Sequence, residues 1–187
     1  MTAARHVALS TLVVALAAAS GLAARSAPHP DAPPPAHTGG FGEPTCHECH
    51  FQRDINAGKG SLTLTGLRAD IASGTTHRLT ITLTHPGQSR AGFMLSARTA
   101  DGAQAGTLRA VDATTTVTLA GDVAYLHHTL AGTAVTGDTA AWTLEWIAND
   151  LAAGDSVVFH LVGNAANDDA SPFGDYVYAA SRSLTVR

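Results

Sequence analysis

Two cysteines and a histidine stand at a spacing that supports one particular chemistry. Cys46 and Cys49 are the only cysteines of the chain, and His50 follows directly, so that residues 46–50 read C-H-E-C-H. In a C-x-x-C-H string the two thiols add across the vinyl groups of a haem to form thioethers, and the histidine binds the iron. The motif therefore predicts one covalently attached haem c, held by Cys46, Cys49 and His50.

A C-x-x-C pair also occurs as a disulfide or as half of a zinc site, and both remain alternatives. A zinc site needs a second pair of ligands at metal-site spacing. The chain has no further cysteine to supply that pair. The haem interpretation is favoured for this reason.

The second axial ligand of the iron has several candidates, and strand periodicity favours His128. In the run 123–130, His128 alternates onto one face with Leu126 and Leu130, an apolar stripe of the kind that a haem edge covers. A hydrogen-bonded core histidine is the alternative interpretation. A methionine ligand would give a higher reduction potential than a second imidazole. The remaining candidates are His127, His77, His85, His160 and Met94.

The N-terminus has the pattern of a secretory signal. Arg5 precedes an apolar, alanine-rich run that begins at Val7 and ends at Ser20, and small residues follow. We predict a signal peptide over residues 1–24, with an uncleaved membrane anchor as the alternative. Covalent haem attachment takes place outside the cytoplasm, so both features predict an exported protein, either periplasmic or extracellular.

Composition limits the partners. The 187 residues include 11 Lys and Arg against 15 Asp and Glu, a net charge of -4 at pH 7. Lys59 is the only lysine, and the arginines are scattered rather than clustered, so we predict no nucleic-acid partner and no anionic-lipid surface. The expected partners are redox proteins, and no stable membrane span is expected after signal cleavage.

The rest of the chain divides into a linker and one domain. Residues 25–42 are rich in Pro, Ala and Gly and predict a flexible linker. His29 and His37 in this segment could bind a metal, but histidines of a polar linker are more often solvated. Residues 43–187 are enough for a single haem-bearing domain with a hydrophobic core.

Period-two alternation predicts an all-β domain after Ser61. Short runs rich in Thr, Val, Leu and Ile are separated by Gly, Asp and Asn about every ten residues, which is the spacing of an immunoglobulin-like β-sandwich. The N-terminal haem-attachment segment should be irregular, and helix content low. The predicted strands are 61–65, 77–85, 92–98, 105–111, 114–119, 123–130, 141–147, 155–163 and 176–186, with core stripes through Leu79, Ile81 and Leu83, through Phe93, Leu95 and Ala97, through Trp142, Leu144 and Trp146, and through Val157, Phe159 and Leu161.

Several short motifs, taken in order, resemble the bacterial choice-of-anchor V domain, a reelin-domain-like β-sandwich. The resemblance runs from about Gly42 to Val186, with C-x-x-C-H just upstream of the strands as in that family. It implies an exported domain that is commonly fixed to the cell surface by a C-terminal anchor. This chain ends at Arg187 directly after a predicted strand, so we expect a soluble exported product. The motifs are residues 92–95 (GFML), Tyr125 with His128 and Thr129, residues 142–146 (WTLEW), 163–167 (GNAAN) and 174–178 (GDYVY).

The loop 163–175 has oxygen donors for Ca²⁺, although the same residue types form tight turns, and we favour turns. No nucleophile elbow, nucleotide-binding glycine loop or spaced carboxylate pair predicts an enzyme. Three functional hypotheses follow: an exported monohaem c-type cytochrome that transfers electrons, a binding or adhesion module in which haem is structural or absent, and a haem sensor or peroxidase with an open distal site. The donors of the loop are Asn164, Asn167, Asp168, Asp169 and Asp175.

Overall fold

The computed structural model describes residue 29, residues 32–68 and residues 71–187. The predicted signal peptide, residues 1–24, lies outside the described residues. Within the described ranges, no helix is long and apolar enough to cross a membrane.

The described part of the chain forms nine strands and two short 3₁₀ helices, which confirms the all-β prediction. The 3₁₀ helices are Cys46–Glu48 and Leu130–Thr133. All nine strands fall on runs that the alternation pattern predicted. The strands are β1 (Ser61–Thr65), β2 (Thr76–Thr84), β3 (Arg90–Thr99), β4 (Thr107–Ala110), β5 (Thr115–Ala120), β6 (Val123–His128), β7 (Thr139–Ile147), β8 (Ser156–Ala166) and β9 (Tyr176–Thr185).

Two antiparallel sheets make the sandwich. One has four strands in the order β1-β2-β7-β4, and the other has five in the order β5-β6-β3-β8-β9. The long pairing of β3 with β8, which begins at Arg90 opposite Ala166, forms the middle of the larger sheet. In an antiparallel pair, directly opposed residues point to the same face, so this register decides which side chains share each face.

The main hydrophobic core lies between the two sheets. The predicted stripes on β2, β3, β7 and β8 all belong to it. Both tryptophan indoles are buried there, and each donates its N–H to a backbone carbonyl, from Trp142 to Gly132 at 2.6 Å and from Trp146 to Ala105 at 2.9 Å. These bonds satisfy the polar atom of each indole inside an apolar core.

The outer face of the five-stranded sheet is also buried, by the segment that leads into β1. A second apolar cluster on this face consists of Met94, Tyr125, Val162 and Val177, and Cys46 packs against it. This packing corrects the predicted linker boundary at residue 42. Thr38 is only 2% exposed, and its hydroxyl lies 3.3 Å from that of Ser96 on β3, so the ordered domain begins several residues before Gly42.

Removal of a large core side chain should destabilise the sandwich. Leu95 is fully buried between the sheets, whereas Leu119 on the edge strand β5 is 67% exposed. Leu95→Ala should lower the free energy of unfolding by about 2–5 kcal/mol, because it leaves a cavity. Leu119→Ala, the matched control, should change it by less than about 0.5 kcal/mol. Urea denaturation of both variants measures the difference, and equal effects would contradict the assigned core.

Candidate haem-attachment site

The buried carboxylate of Glu43 holds the N-terminal segment on the outer face of the sheet. One of its oxygens accepts hydrogen bonds from the Arg98 guanidinium and the Tyr125 hydroxyl, and the other accepts one from the Thr38 hydroxyl at 2.6 Å. The side chains of Glu43 and Arg98 are about one-tenth exposed. Burial alone would raise the pKa of Glu43, but the hydrogen bonds from Thr38 and Tyr125 and the charge of Arg98 lower it below its ordinary value.

The cysteine motif begins in the 3₁₀ helix, three residues after Glu43. Thr45 caps this helix by accepting a hydrogen bond from the His47 amide at 3.1 Å. The amide of His50 donates to the Cys46 carbonyl at 2.9 Å, so the motif closes into a single compact turn. The two thiols are not joined in a disulfide. Cys46 packs against the outer apolar cluster, where burial raises the pKa of its thiol to about 12.

The imidazole of His50 is oriented by a buried carboxylate. Its Nδ1 atom lies 2.6 Å from Oδ2 of Asp175, a residue that is only 2% exposed. The Asn164 amide nitrogen lies 3.3 Å from the same Nδ1 atom and 3.4 Å from the same carboxylate oxygen. The side chain of His50 is about one-third exposed, and within the described residues its Nε2 atom has no hydrogen-bond partner. Nε2 is the atom that an axial histidine offers to iron when its Nδ1 is held by the protein.

The imidazole of His128 is held in a similar way, by the backbone of β3. The backbone pairing of β3 with β6 ends at Met94 opposite His127. The His128 ring then contacts the backbone of Phe93, the next residue of β3. Its Nδ1 atom lies 3.0 Å from the Phe93 amide nitrogen and 3.2 Å from the Phe93 carbonyl oxygen, so either neutral tautomer has a backbone partner. Among the described residues its Nε2 atom has none. Burial lowers the pKa of His128 to about 4 and keeps the ring neutral at physiological pH, as metal binding requires.

Gly92 brings the surroundings of the two histidines together. A Cβ atom at Gly92 would lie 2.5 Å from Cε1 of the His128 ring, so only glycine leaves room for that ring. Gly92 pairs directly with Asn164, the residue whose amide contacts His50. Because Gly92 and Asn164 are directly opposed, the His128 ring and the His50 contacts lie at the same end of the β3–β8 pair. Within β6, His128 stands two positions from Leu126 and pairs with Thr115, in the alternation that the sequence predicts, and its ring reaches the Phe93 backbone at the edge of β3.

Exposed apolar side chains surround this end of the face. Phe51 directly follows the motif and makes an edge contact with Phe173, with ring centroids 5.9 Å apart. Leu130 lies two residues after His128, and all three side chains are about half exposed. The Phe51–Phe173 pair is therefore an exposed apolar surface directly beside the motif.

The other candidate ligands already have partners or lie elsewhere. His127 is buried; its Nδ1 lies 2.8 Å from the His128 carbonyl oxygen and its Nε2 lies 2.9 Å from the Thr118 hydroxyl. His77 packs on Trp146 in the other sheet. His85 stacks on Tyr176, with ring centroids 4.1 Å apart.

Two candidates share the outer face with the motif. His160 lies under Gly40 and makes an edge contact with Phe41, four positions along β8 from Asn164. Met94 is fully buried, and its sulfur accepts a hydrogen bond from the His37 amide at 3.4 Å. Met94 therefore packs against the leading segment, as its position opposite the Phe93 stripe predicted.

The remaining polar clusters serve local structure. The His37 ring bonds to the Pro35 carbonyl at 2.8 Å and to Glu48 at 2.9 Å, and His29 is exposed. In the loop 163–175, Asp169 accepts hydrogen bonds from Ser171 and Asn167, in the manner of tight turns. Within the described residues, no group of three His, Cys, Asp or Glu side chains is arranged to hold a bare metal ion.

Comparison with known proteins supports the fold. Neither protein-family profiles nor curated protein sequences match the chain. Among solved structures, the Reelin-N domain of F-spondin matches with a TM-score of 0.52 and 18% identity, over 76% of this chain and 97% of that one. The human F-spondin reeler domain matches with a TM-score of 0.47 and 18% identity, over 72% and 94%. The fold is thus a reelin-like β-sandwich, as the resemblance implied, while membership of the choice-of-anchor V family stays a prediction.

The sequence interpretation missed Glu43, Gly92 and the role of Asp175. Gly92 and Asp175 both stand in the motifs that carried the family resemblance, which was the signal available for them. The sequence pattern instead places Asp175 among the oxygen donors of the loop 163–175. Glu43 had no local signal, because its partners Arg98 and Tyr125 are 55 and 82 residues away.

Loss of the Glu43 charge should loosen the motif segment and change the acid stability. Glu43→Gln should lower the free energy of unfolding at pH 7 by about 1–3 kcal/mol, because it weakens a charge-assisted network. The pKa of folded Glu43 is below its ordinary value of 4.5, so its stabilisation is present above that value and is lost as pH falls through the folded pKa.

The variant should therefore lose less stability than the wild type on acidification below about pH 4.5. Urea denaturation at a series of pH values measures this difference. Glu145→Gln is the control, because Glu145 pairs with the exposed Arg109 and such surface pairs contribute about 0–1 kcal/mol. Identical acid profiles for Glu43→Gln and wild type would contradict the assigned role of Glu43.

Proposed function

We propose that this exported domain carries one covalently bound haem c and transfers single electrons. The observations that carry the proposal are the C-x-x-C-H turn and two imidazoles, His50 in that turn and His128 beside Gly92, at the same end of the β3–β8 pair. In His50 and His128 alike, Nδ1 is held by the protein, and Nε2 has no partner among the described residues.

The residues fit the cofactor. Cys46 and Cys49 are free thiols in one turn and would form the two thioethers. His50 would be the proximal ligand and His128 the distal ligand of the iron. The side-chain oxygen Oδ1 of Asn164, which is close to His50, is buried without a hydrogen-bond partner among the described residues. When bound, the haem supplies a one-electron couple between ferric and ferrous iron.

The protein's own contribution is to hold both imidazoles still. Asp175 orients the ring of His50, and the backbone of β3 orients the ring of His128. Both supports are anchored in the same sheet, since Asp175 directly precedes β9 and Phe93 lies in β3. Two rings fixed in this way would limit rearrangement of the protein on electron transfer, which would keep the reorganisation energy small.

The surroundings suit a porphyrin with acidic side groups. Phe51, Phe173 and Leu130 would cover its apolar edge. Arg90 lies two positions from Gly92 on the same face of β3, donates to the Thr133 hydroxyl at 3.3 Å and pairs with Asp168 at 2.5 Å. Its guanidinium would neutralise a propionate by exchanging Asp168 for that group. Redox partner proteins would approach this exposed edge in the periplasm or outside the cell.

A binding or adhesion module is the second candidate function. Its support is the fold, because the chain resembles the Reelin-N domain of F-spondin over nearly all of that domain. The edge strand β5 also exposes Val117 and Leu119, two apolar side chains that a partner protein could cover. In this candidate function, haem is structural or absent.

Covalent attachment distinguishes the two functions. The full chain, coexpressed with a haem-maturation system, should gain the mass of one haem that acid-acetone does not extract, because thioethers survive denaturation. Replacement of both Cys46 and Cys49 by Ala should abolish this increment while the far-ultraviolet spectrum of the β-sandwich persists. Bare polypeptide mass in the wild type would contradict the cytochrome proposal and favour the binding module.

Removal of the distal imidazole should leave one axial position of the iron without a protein ligand. His128→Ala should convert low-spin ferric iron to high-spin and allow rapid CO binding to the ferrous form, because one axial position loses its ligand. His160→Ala is the control, since His160 lies on the same face but beneath Phe41. Absorption spectra of the oxidised and CO-treated proteins measure the change. A low-spin spectrum that survives in His128→Ala would assign the ligand elsewhere, with Met94 on the same face as the next candidate.

A further inference from the structure

Asp175 is a buried carboxylate whose charge has little compensation. It is 2% exposed, its Oδ2 lies 2.6 Å from Nδ1 of His50, and within the described residues no lysine or arginine forms a salt bridge with it. The Asn167 amide donates to its Oδ1 at 3.2 Å, and the Asn164 side chain lies 3.4 Å from its Oδ2. Two neutral donors do not offset the desolvation of a full negative charge. A site of this kind is most stable when positive charge lies close by.

We propose that Asp175 is a positioning residue that also tunes the iron by lowering its reduction potential. The inference rests on the proposed haem attachment at His50. A carboxylate that accepts the Nδ1 proton of an axial histidine makes the imidazole a stronger electron donor than a neutral amide or carbonyl acceptor does. Ferric iron carries one more positive charge than ferrous iron, so both the stronger ligand and the nearby carboxylate favour the oxidised state.

The loop around Asp175 is built to keep this contact. Gly174 adopts a positive φ of 87°, and its amide bonds to the side chain of Gln52, two residues after His50. The strand β9 begins at the residue after Asp175. Contacts on the residues directly before and after Asp175 thus hold its carboxylate in place. Phe51, next to His50, also makes an edge contact with Phe173, two residues before Asp175. His50 and Asp175 are 125 residues apart, so this support is a product of the fold and not of the motif.

Asp175→Asn tests the proposal, because it removes the charge with almost no change of shape. In the haem-loaded protein, the reduction equilibrium should shift toward the ferrous state by about tenfold or more, a rise in midpoint potential of about 59 mV or more. Asp169→Asn is the matched control. It makes the same chemical change in the same loop, at an exposed carboxylate that bonds only to turn residues. An unchanged potential in loaded Asp175→Asn would overturn the proposal while leaving haem attachment intact.

A second measurement keeps the proposal testable if Asp175→Asn takes up no haem. In ferrous His128→Ala, the iron–imidazole stretching vibration seen by resonance Raman spectroscopy reports the donor strength of His50. The proposal predicts the high frequency of a carboxylate-bonded imidazole. A frequency typical of carbonyl-bonded imidazole would overturn it. Absence of covalent haem from the wild type would instead refute the proposed function, so the two failures are distinguishable.

Discussion

The hydrogen bonds of the buried Glu43 carboxylate are the interaction on which the rest of the site depends. Arg98 and Tyr125 belong to two neighbouring strands of the five-stranded sheet, and Thr38 belongs to the segment that crosses them. One carboxylate joins all three. A charged group in this setting is stable only when its donors are in place, so the segment has one favourable position on the sheet. The cysteine turn follows within three residues, and its location is determined by that position.

Both faces of the five-stranded sheet are therefore packed against other parts of the chain. The inner face packs against the four-stranded sheet and supplies the hydrophobic core, while the outer face packs against the leading segment and supplies the candidate site. The two faces share the same strands, so a ligand held at the outer face is held by the core as well. A reelin-like sandwich can therefore position His50 and His128 from strands and loops alone.

The sequence was a good guide to the fold and a partial guide to the site, for physical reasons. Period-two alternation is a local property, and it located all nine strands and the core stripes. Alternation could not provide the contacts of the His128 ring, because β6 separates from β3 after His127 and the ring bonds to the Phe93 backbone beside Gly92. The contact of His50 with Asp175 joins residues that no local pattern connects. Those contacts depend on the register of β3, β8 and β9, which the sequence pattern did not provide.

We propose that this sheet positions two imidazoles for one iron. X-ray absorption at the iron edge of the oxidised, haem-loaded wild-type protein tests this proposal, because the scattering reports the atoms bound to iron. We expect six-coordinate iron with four porphyrin nitrogens, two imidazole rings and no sulfur ligand. A single imidazole, or a sulfur atom in the first coordination shell, would contradict it.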